Sequence, residues 1–328
     1  MEKNTDSLLP SLIFLFVDGV GIGPDDPARN PFCQLRDSPF PFIAPLPPQD
    51  FKMPFCLKAV DATLDVAGTP QSGSGQTTLF TGIPYPRLSG EHAGSYPTLP
   101  MRQILVKHNL LRRLVTAGCP ARFFNAYPYH APLFRPPHLK LEENGSLHFS
   151  DAFPPLFRRR ISATTVMMLS TGQEVADETS LRQEQALYQD FGNQSLIAKG
   201  SDLPPLTPSE AGKILARAGR EHPGLTLFEF FLSDQTGHRG SLAEAVKLLG
   251  DLAEFTTSAV AGLDPDKHTL LLCSDHGNIE EMDHAGHTRN PVPLWIWGRG
   301  RHALAERIGS IADLTPAILA YFGVNNPL

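Results

Sequence analysis

The sequence predicts an α/β protein built on a mainly parallel sheet with a small inserted cap. Three observations carry that prediction. Short apolar runs, LIFLFV (12–17), LTLFEFFL (225–232) and TLLLC (269–273), read as buried strands. Stretches of helical period lie between runs of this kind, and such alternation argues for parallel strands with helices packed on them. Carboxylates and imidazoles follow each run: Asp18, then Asp234 and His238, then Asp275 and His276. Open parallel sheets hold ligands just past the C-terminal ends of their strands, so these positions mark a candidate site.

The elements can be taken in chain order. The apolar stretch from Leu8 to Val17 is interrupted by Pro10 and runs into Asp18-Gly19. It is too short to span a bilayer and has neither a basic lead nor a small-residue cleavage site. It therefore predicts the first core strand of a cytoplasmic protein. A Pro-rich stretch from Pro24 to Pro54 carries few regular signals. A helix is predicted to start within QSGSGQTTLFTG (71–82). A second is predicted over about 101–117, where Ile104, Leu105, Leu111, Leu114 and Val115 recur at helical spacing before Gly118. ARFFNAY (121–127) reads as a strand.

Residues 129–202 contain Pro-rich turns, a predicted hairpin around Glu142 to Phe149 and the apolar run TTVMML (164–169). They are expected to form a small cap or lid inserted between two core segments, 1–128 and 203–328. Thr207-Pro208-Ser209-Glu210 offers a capping box with proline at the first helical position, and Ser241 to Glu244 offers another. Val246, Leu249, Leu252 and Ala253 give the second of these helices one apolar face. Strands at 269–273 and 292–297 and a last helix near 310–321 complete the pattern.

Composition narrows the function. The chain has 328 residues, 41% of them hydrophobic, which is ample for a sizeable core. A net charge of −6 argues against a nucleic-acid partner, which would show a basic stripe. Arg158-Arg159-Arg160 is the one compact basic run, either a solvated loop or a grip on an anionic substrate. Cys33, Cys56, Cys119 and Cys273 are scattered without a CxxC pair, which suits free thiols in a reducing compartment. No membrane partner is expected, and nothing in the sequence speaks to oligomeric state.

Asp234 and His238 lie one helical turn apart, so on a helix both side chains reach the same cation. A lone D-x-x-x-H arises by chance. The Asp275-His276 pair after the next strand strengthens the reading, because mixed carboxylate and imidazole donors suit Zn²⁺ or Mn²⁺. His284 and His287 follow within the same string. Asp18 is either a turn former before glycine or a ligand at a strand end. The small, hydroxyl-rich segment from Gln71 to Thr78 is either a flexible loop or a helix start that holds a phosphate and offers a nucleophilic hydroxyl.

Together these strings resemble the alkaline phosphatase superfamily, and within it the metalloenzyme branch that includes cofactor-independent phosphoglycerate mutase and phosphopentomutase. The matching elements run in the family's order: V-D-G-x-G after the first strand, a nucleophile segment ending in Thr81-Gly82, D-x-x-G-H at 234–238, S-D-H-G-N at 274–278, and H-T-x-N-P-V-P at 287–293. Ile311 to Leu319 is similar to the family's closing helix. The resemblance implies a three-layer α/β sandwich and two divalent cations, Mn²⁺ or Zn²⁺. It implies one cation held by Asp234, His238 and His287, and the other by Asp18, Ser72, Asp275 and His276. His287 is preferred to His284 because it opens the H-T-x-N string. The family register, ten residues before the glycine of the T-G pair, selects Ser72 as nucleophile, with Ser74 and Thr77 as alternatives. Asn30 and Asn290 are candidate substrate or outer-sphere contacts.

The implied chemistry is in-line phosphoryl transfer from a small phosphorylated substrate through a phosphoserine. Two departures bear on the substrate. The segment reads Gln71-Ser72-Gly73-Ser74-Gly75-Gln76 where the mutases usually read N-S-x-x-G-H, and the insert is small. A short cap leaves water more access, so phosphomonoester hydrolysis is expected ahead of mutase or phosphodiester chemistry. The rival from another class is a non-catalytic metal- or ligand-binding relative. Against it, all six predicted metal ligands outside the nucleophile segment are present, as is a hydroxyl at the nucleophile position.

Overall fold

The structure is a computed structural model that describes residues 9–35, 38–48 and 53–325. Leu8, where the first apolar stretch begins, lies outside the described residues. A central sheet contains β1 (Ser11–Val17), β2 (Phe55–Val60), β3 (Ala121–Phe123), β4 (Gly224–Phe230), β5 (His268–Cys273) and β6 (Val292–Gly298). Their order is β2-β6-β5-β1-β4-β3. Strands β5, β1, β4 and β3 are parallel, while β6 runs antiparallel to both β5 and β2. The predicted mainly parallel α/β sheet is present.

The helices that bear on the site are α1 (Ser72–Thr81), α2 (Leu99–His108), α3 (Leu110–Thr116), α4 (Ala163–Ser170), α5 (Pro208–Glu221), α6 (Leu232–Arg239), α7 (Leu242–Ala261) and α8 (Leu314–Tyr321). Strand β1 shows how they form two outer layers. Successive side chains of a strand point to opposite faces. Leu12, Phe14 and Phe16 pack with Phe80 of α1, Leu105 of α2 and Ile318 of α8. Ile13, Leu15 and Val17 pack with Leu215 of α5 and Leu249 and Phe255 of α7. Every residue of β1 is buried, as expected of a middle strand covered on both faces.

Both predicted capping boxes form. Thr207 Oγ1 accepts from Glu210 N while Glu210 Oε2 accepts from Thr207 N, and Ser241 and Glu244 do the same for α7. The single helix expected over 101–117 is two helices. Asn109 takes an extended backbone and caps α3, its Oδ1 accepting from Arg112 N at 2.9 Å. Of the strand expected at 121–127, only Ala121–Phe123 joins the ladder. Beyond it, the Asn125 side chain bonds both backbone groups of Glu229. Edge strand β2 carries no clean alternation and was not predicted.

Within 129–202, the predicted hairpin pairs Leu139–Leu141 with Leu147–Phe149. The TTVMML run becomes α4, whose Ala163, Val166, Met167 and Met168 join the core beside α2 and α3. Part of this segment is therefore continuous with the core. No helix among the described residues is long and apolar enough to cross a membrane.

Candidate metal centre

Three neighbouring parallel strands, β5, β1 and β4, end side by side and deliver the candidate ligands. Asp18 follows β1 directly, its N–H donating to Phe230 O at 3.0 Å. Ser233 Oγ donates to Asp18 O at 2.6 Å, tying the start of α6 to the same corner. Asp234 sits in the first turn of α6 and His238 one turn later. Asp275 and His276 follow β5. Ser274 Oγ accepts from Val20 N and donates to His276 O, both at 2.9 Å, so the loops after β1 and β5 are pinned together.

Helix α1 closes the site from one face of the sheet. All ten of its residues are buried, and the first four, Ser72 to Gly75, are small. A side chain at Gly75 would place its Cβ 3.0 Å from Asp275 O, so glycine is what lets the helix approach. Phe80 anchors the far end, 5.1 Å from the ring of Phe16.

One group of donors comprises Asp18, Ser72, Asp275 and His276. His276 Nε2 lies 3.0 Å from Ser72 Oγ, 3.3 Å from Asp18 Oδ1 and 3.5 Å from Asp275 Oδ2. Gln76 Nε2 donates to the other oxygen of Asp18 at 2.9 Å. Asp18 Oδ1 and Asp275 Oδ2 are buried and have no hydrogen-bond partner. Burial pushes the Asp18 carboxyl well above the usual carboxylate range, and the charges of Asp275, Asp234 and Glu229 add to it. Burial also lowers the pKa of His276, favouring the neutral imidazole, the form that binds metal. Orphaned carboxylate oxygens crowded around a neutral imidazole fit a cation.

The second group comprises Asp234, His238 and His287. His238 Nε2 and His287 Nε2 are 3.0 Å apart, and each is 3.4 Å from Asp234 Oδ1. His238 Nδ1 bonds Ala285 O at 2.9 Å, and His287 Nδ1 bonds Pro70 O at 2.8 Å. A carbonyl can only accept, so each neutral ring protonates Nδ1 and turns a lone pair on Nε2 toward Asp234. That carbonyl anchoring is the usual support for a metal-bound histidine. Burial opposes charge on Asp234, but the hydrogen bonds it accepts from protonated His287 and from the Asn278 amide outweigh it and bring the carboxyl to about 2. Burial likewise works against protonating His287, yet the hydrogen bond and charge of Asp234 lift its pKa above the ordinary imidazole value.

The two groups share a wall. The rings of His276 and His287 stack at 3.8 Å, and ligand atoms of Asp234, His276 and His287 lie within 4.8 Å of one another. The structure brings together all seven residues assigned to metal ligation. His284 is elsewhere, in a mostly exposed group with Glu281 and Asp283.

Among the nucleophile candidates, only Ser72 faces the donors. Ser74 Oγ donates to Gln71 O, and Thr77 Oγ1 donates to Gly73 O inside the helix. The two asparagines serve local structure. Asn30 bonds Pro24 O and Phe32 N, and Asn290 donates to Glu280 and Glu281.

Sequence reasoning missed four supports. Gln76 orients Asp18, and Asn278 Nδ2 donates to Asp234 Oδ1 at 2.7 Å. Glu280, fully buried, gathers the loop N–H groups of Gly21 and Asn278 at 2.8 Å each. Glu229, on β4, accepts from Thr164 Oγ1 at 2.6 Å, and burial raises its carboxyl to about 7. For Glu229 a signal existed: an acid within the apolar run LTLFEFFL is costly without a purpose.

The chain is similar to known proteins in part of its sequence and in its fold. Residues 210–326 match the family model described as Metalloenzyme superfamily. The 2,3-bisphosphoglycerate-independent phosphoglycerate mutase of Methylobacillus flagellatus is 31% identical over 101 residues, covering 29% of this chain and 20% of that protein. The enzyme of the same name from Desulforudis audaxviator is 33% identical over 116 residues, covering 34% of this chain and 23% of its own length. The matches thus span about a quarter or less of these relatives. Alkaline phosphatase from the Antarctic bacterium TAB5 superposes with a TM-score of 0.52 at 11% identity, covering 97% of this chain and 100% of that one. The C-terminal third of the chain is thus similar to the metalloenzymes of that family model, and its fold is that of an alkaline phosphatase.

Proposed function

We propose that the protein is a two-metal phosphoryl-transfer enzyme that works through a phosphoserine at Ser72, hydrolysing a small phosphomonoester. One observation carries the reading: Ser72 Oγ lies 3.0 Å from His276 Nε2, beside the unpartnered oxygens of Asp18 and Asp275. Asp18, Ser72, Asp275 and His276 would hold one divalent cation, and Asp234, His238 and His287 the other, with Mn²⁺ and Zn²⁺ both suited to the donor set. When bound, such cations lower the pKa of a coordinated hydroxyl and neutralise charge on phosphoryl oxygens.

The chain's own residues do the rest. Helix α1 presents Ser72 Oγ to the phosphorus, the hydroxyl gives up its proton to solvent, the new Oγ–P bond forms as the ester P–O bond breaks, and the released alkoxide takes up a proton from solvent. Water then attacks phosphorus and loses a proton, the Oγ–P bond breaks, and the Ser72 alkoxide takes up a proton as inorganic phosphate is released. Asn278 and the Ala285 and Pro70 carbonyls keep Asp234, His238 and His287 oriented.

A second reading, a phosphomutase, draws on the curated relatives, which are phosphoglycerate mutases. In that case the phosphoryl group on Ser72 returns to another hydroxyl of the same substrate. Turnover of an aryl phosphate with Mn²⁺ or Zn²⁺, followed by peptide mapping for phosphoserine, tests both. Wild type should be labelled at Ser72 and Ser72→Ala should be inert. Free phosphate as product indicates hydrolysis, and a positional isomer from a monophosphate that carries a second, free hydroxyl indicates a mutase. No turnover or labelling with any common divalent metal, across monoesters and diesters, would sink the proposal.

A further inference from the structure

We infer that segment 91–97, between the short helix Tyr85–Ser89 and α2, is a strap that positions the nucleophile, with Ser74 and Arg102 as its positioning residues. The inference rests on the reading of Ser72 as nucleophile. The first turn of a helix has N–H groups without partners inside the helix. Here Gly73 N donates to Gly94 O at 2.7 Å and Ser74 N donates to Ala93 O at 3.1 Å. Ser74 Oγ returns the contact by accepting from Ala93 N at 3.1 Å. Ser74 and Ala93 thus bond reciprocally, immediately beside Ser72.

Close approach makes this possible. A Cβ at Gly73 would meet Gly94 O at 2.8 Å, Tyr96 O at 3.0 Å and Ala93 O at 3.1 Å, all backbone atoms. Gly94 itself has φ +73°, a conformation that favours glycine. The far end of the strap is also held. Arg102 donates from Nη1 to Pro97 O at 2.8 Å and from Nε to Gly145 O at 2.9 Å. Gly145 is the turn of the hairpin Leu139–Phe149, so one guanidinium links that hairpin to the strap, and the strap to the helix that carries Ser72.

The consequence is geometric. Ser72 begins α1, where a helix frays most readily, and its Oγ must hold a position relative to donors on two other strand ends. The strap supplies the restraint that the helix lacks at that end. It also gives Ser74 a role that does not depend on its hydroxyl reaching the phosphorus.

Gly73→Ala, Ser74→Ala, Arg102→Ala and Arg102→Lys test this. Hydrogen exchange on metal-free protein reads the strap without any turnover. The Gly73, Ser74 and Ala93 amides should exchange slowly in wild type and faster in the three disruptive variants. In metal-loaded protein, the single-turnover rate of Ser72 phosphorylation by an aryl phosphate should fall roughly 10²-fold in those variants, as expected for a reacting group displaced by about 1 Å. Metal content should stay unchanged, and Arg102→Lys should recover part of the rate. If wild type is phosphorylated and Gly73→Ala and Arg102→Ala react at its rate, the strap is overturned while the phosphoserine reading stands. If wild type is never phosphorylated, the phosphoserine reading falls. Exchange then judges the strap alone, and rapid exchange at Gly73 and Ser74 overturns it.

Discussion

His238 and His287 face each other Nε2 to Nε2 across 3.0 Å, while each Nδ1 is held on a backbone carbonyl. Two neutral rings in those tautomers direct lone pairs at one another beside the Asp234 carboxylate. Only a proton or a cation between them relieves the repulsion. Adding Zn²⁺ or Mn²⁺ to metal-free protein is therefore expected to raise its stability, by about 2.7 kcal/mol at a hundredfold excess over Kd. Binding must displace a proton from His287, whose pKa lies above the ordinary value, so affinity should weaken as pH falls. Calorimetric melting with and without metal, at several pH values, checks both; a melting temperature blind to metal would refute this account of the pair.

Asn278 is expected to matter to the cation although it is not a ligand. Its amide donates to Asp234 Oδ1 at 2.7 Å and to Asp234 O at 3.1 Å. Asn278→Ala should lower metal affinity roughly 10- to 100-fold, the usual cost of losing such a support. Isothermal titration decides it, and unchanged affinity would mean that helix α6 alone orients Asp234.

Glu280 is a test of stability rather than chemistry. It accepts from Gly21 N, Asn278 N, Asn290 Nδ2 and Thr288 Oγ1 with no exposed surface. Glu280→Ala strands buried donors from three chain segments and should cost about 3–5 kcal/mol in urea denaturation. A loss under about 1 kcal/mol would show that water takes over those bonds.

Glu229 predicts a pH signature in metal-free protein. Burial raises its carboxyl from the ordinary 4.5 to about 7. A group whose folded pKa is raised contributes stability that is intact below the unfolded pKa and is lost as pH climbs through the folded one. Stability should therefore fall between pH 4.5 and about 7, by up to roughly 3 kcal/mol from this residue. Denaturation series of wild type and Glu229→Gln separate its share, since the variant should show a shallower decline. Parallel profiles would assign the slope to other groups.

Much of the site was legible because its ligands occur in short strings at strand ends, where local sequence and tertiary position coincide. Asp18, Asp234, His238, Asp275 and His276 needed only the recognition of three apolar runs. His287 was harder, since His284 lies in the same string and only the H-T-x-N resemblance chose between them; the Pro70 carbonyl that holds the His287 ring is far away in sequence. The supports were mostly invisible for the same reason. Glu280 matters through Gly21, far away in sequence, and Gln76 through Asp18. In the fold, strands with neighbours on both sides announced themselves by continuous hydrophobicity. Edge strand β2, half exposed along its length, did not. The break at Asn109 was hidden because apolar spacing runs on through it.

Strand β1 has a consequence for how the chain is made. It is synthesised well before the two strands it pairs with: Ser11 lies opposite Gly224 on one side and His268 on the other. Until those segments leave the ribosome, seven residues that are all buried in the finished sheet have neither neighbour. Pairings of such long sequence separation form slowly, and an unpaired apolar strand is an invitation to aggregation. Asp18 follows that strand, so the candidate metal centre is completed only once β4 and β5 have been made and paired with it.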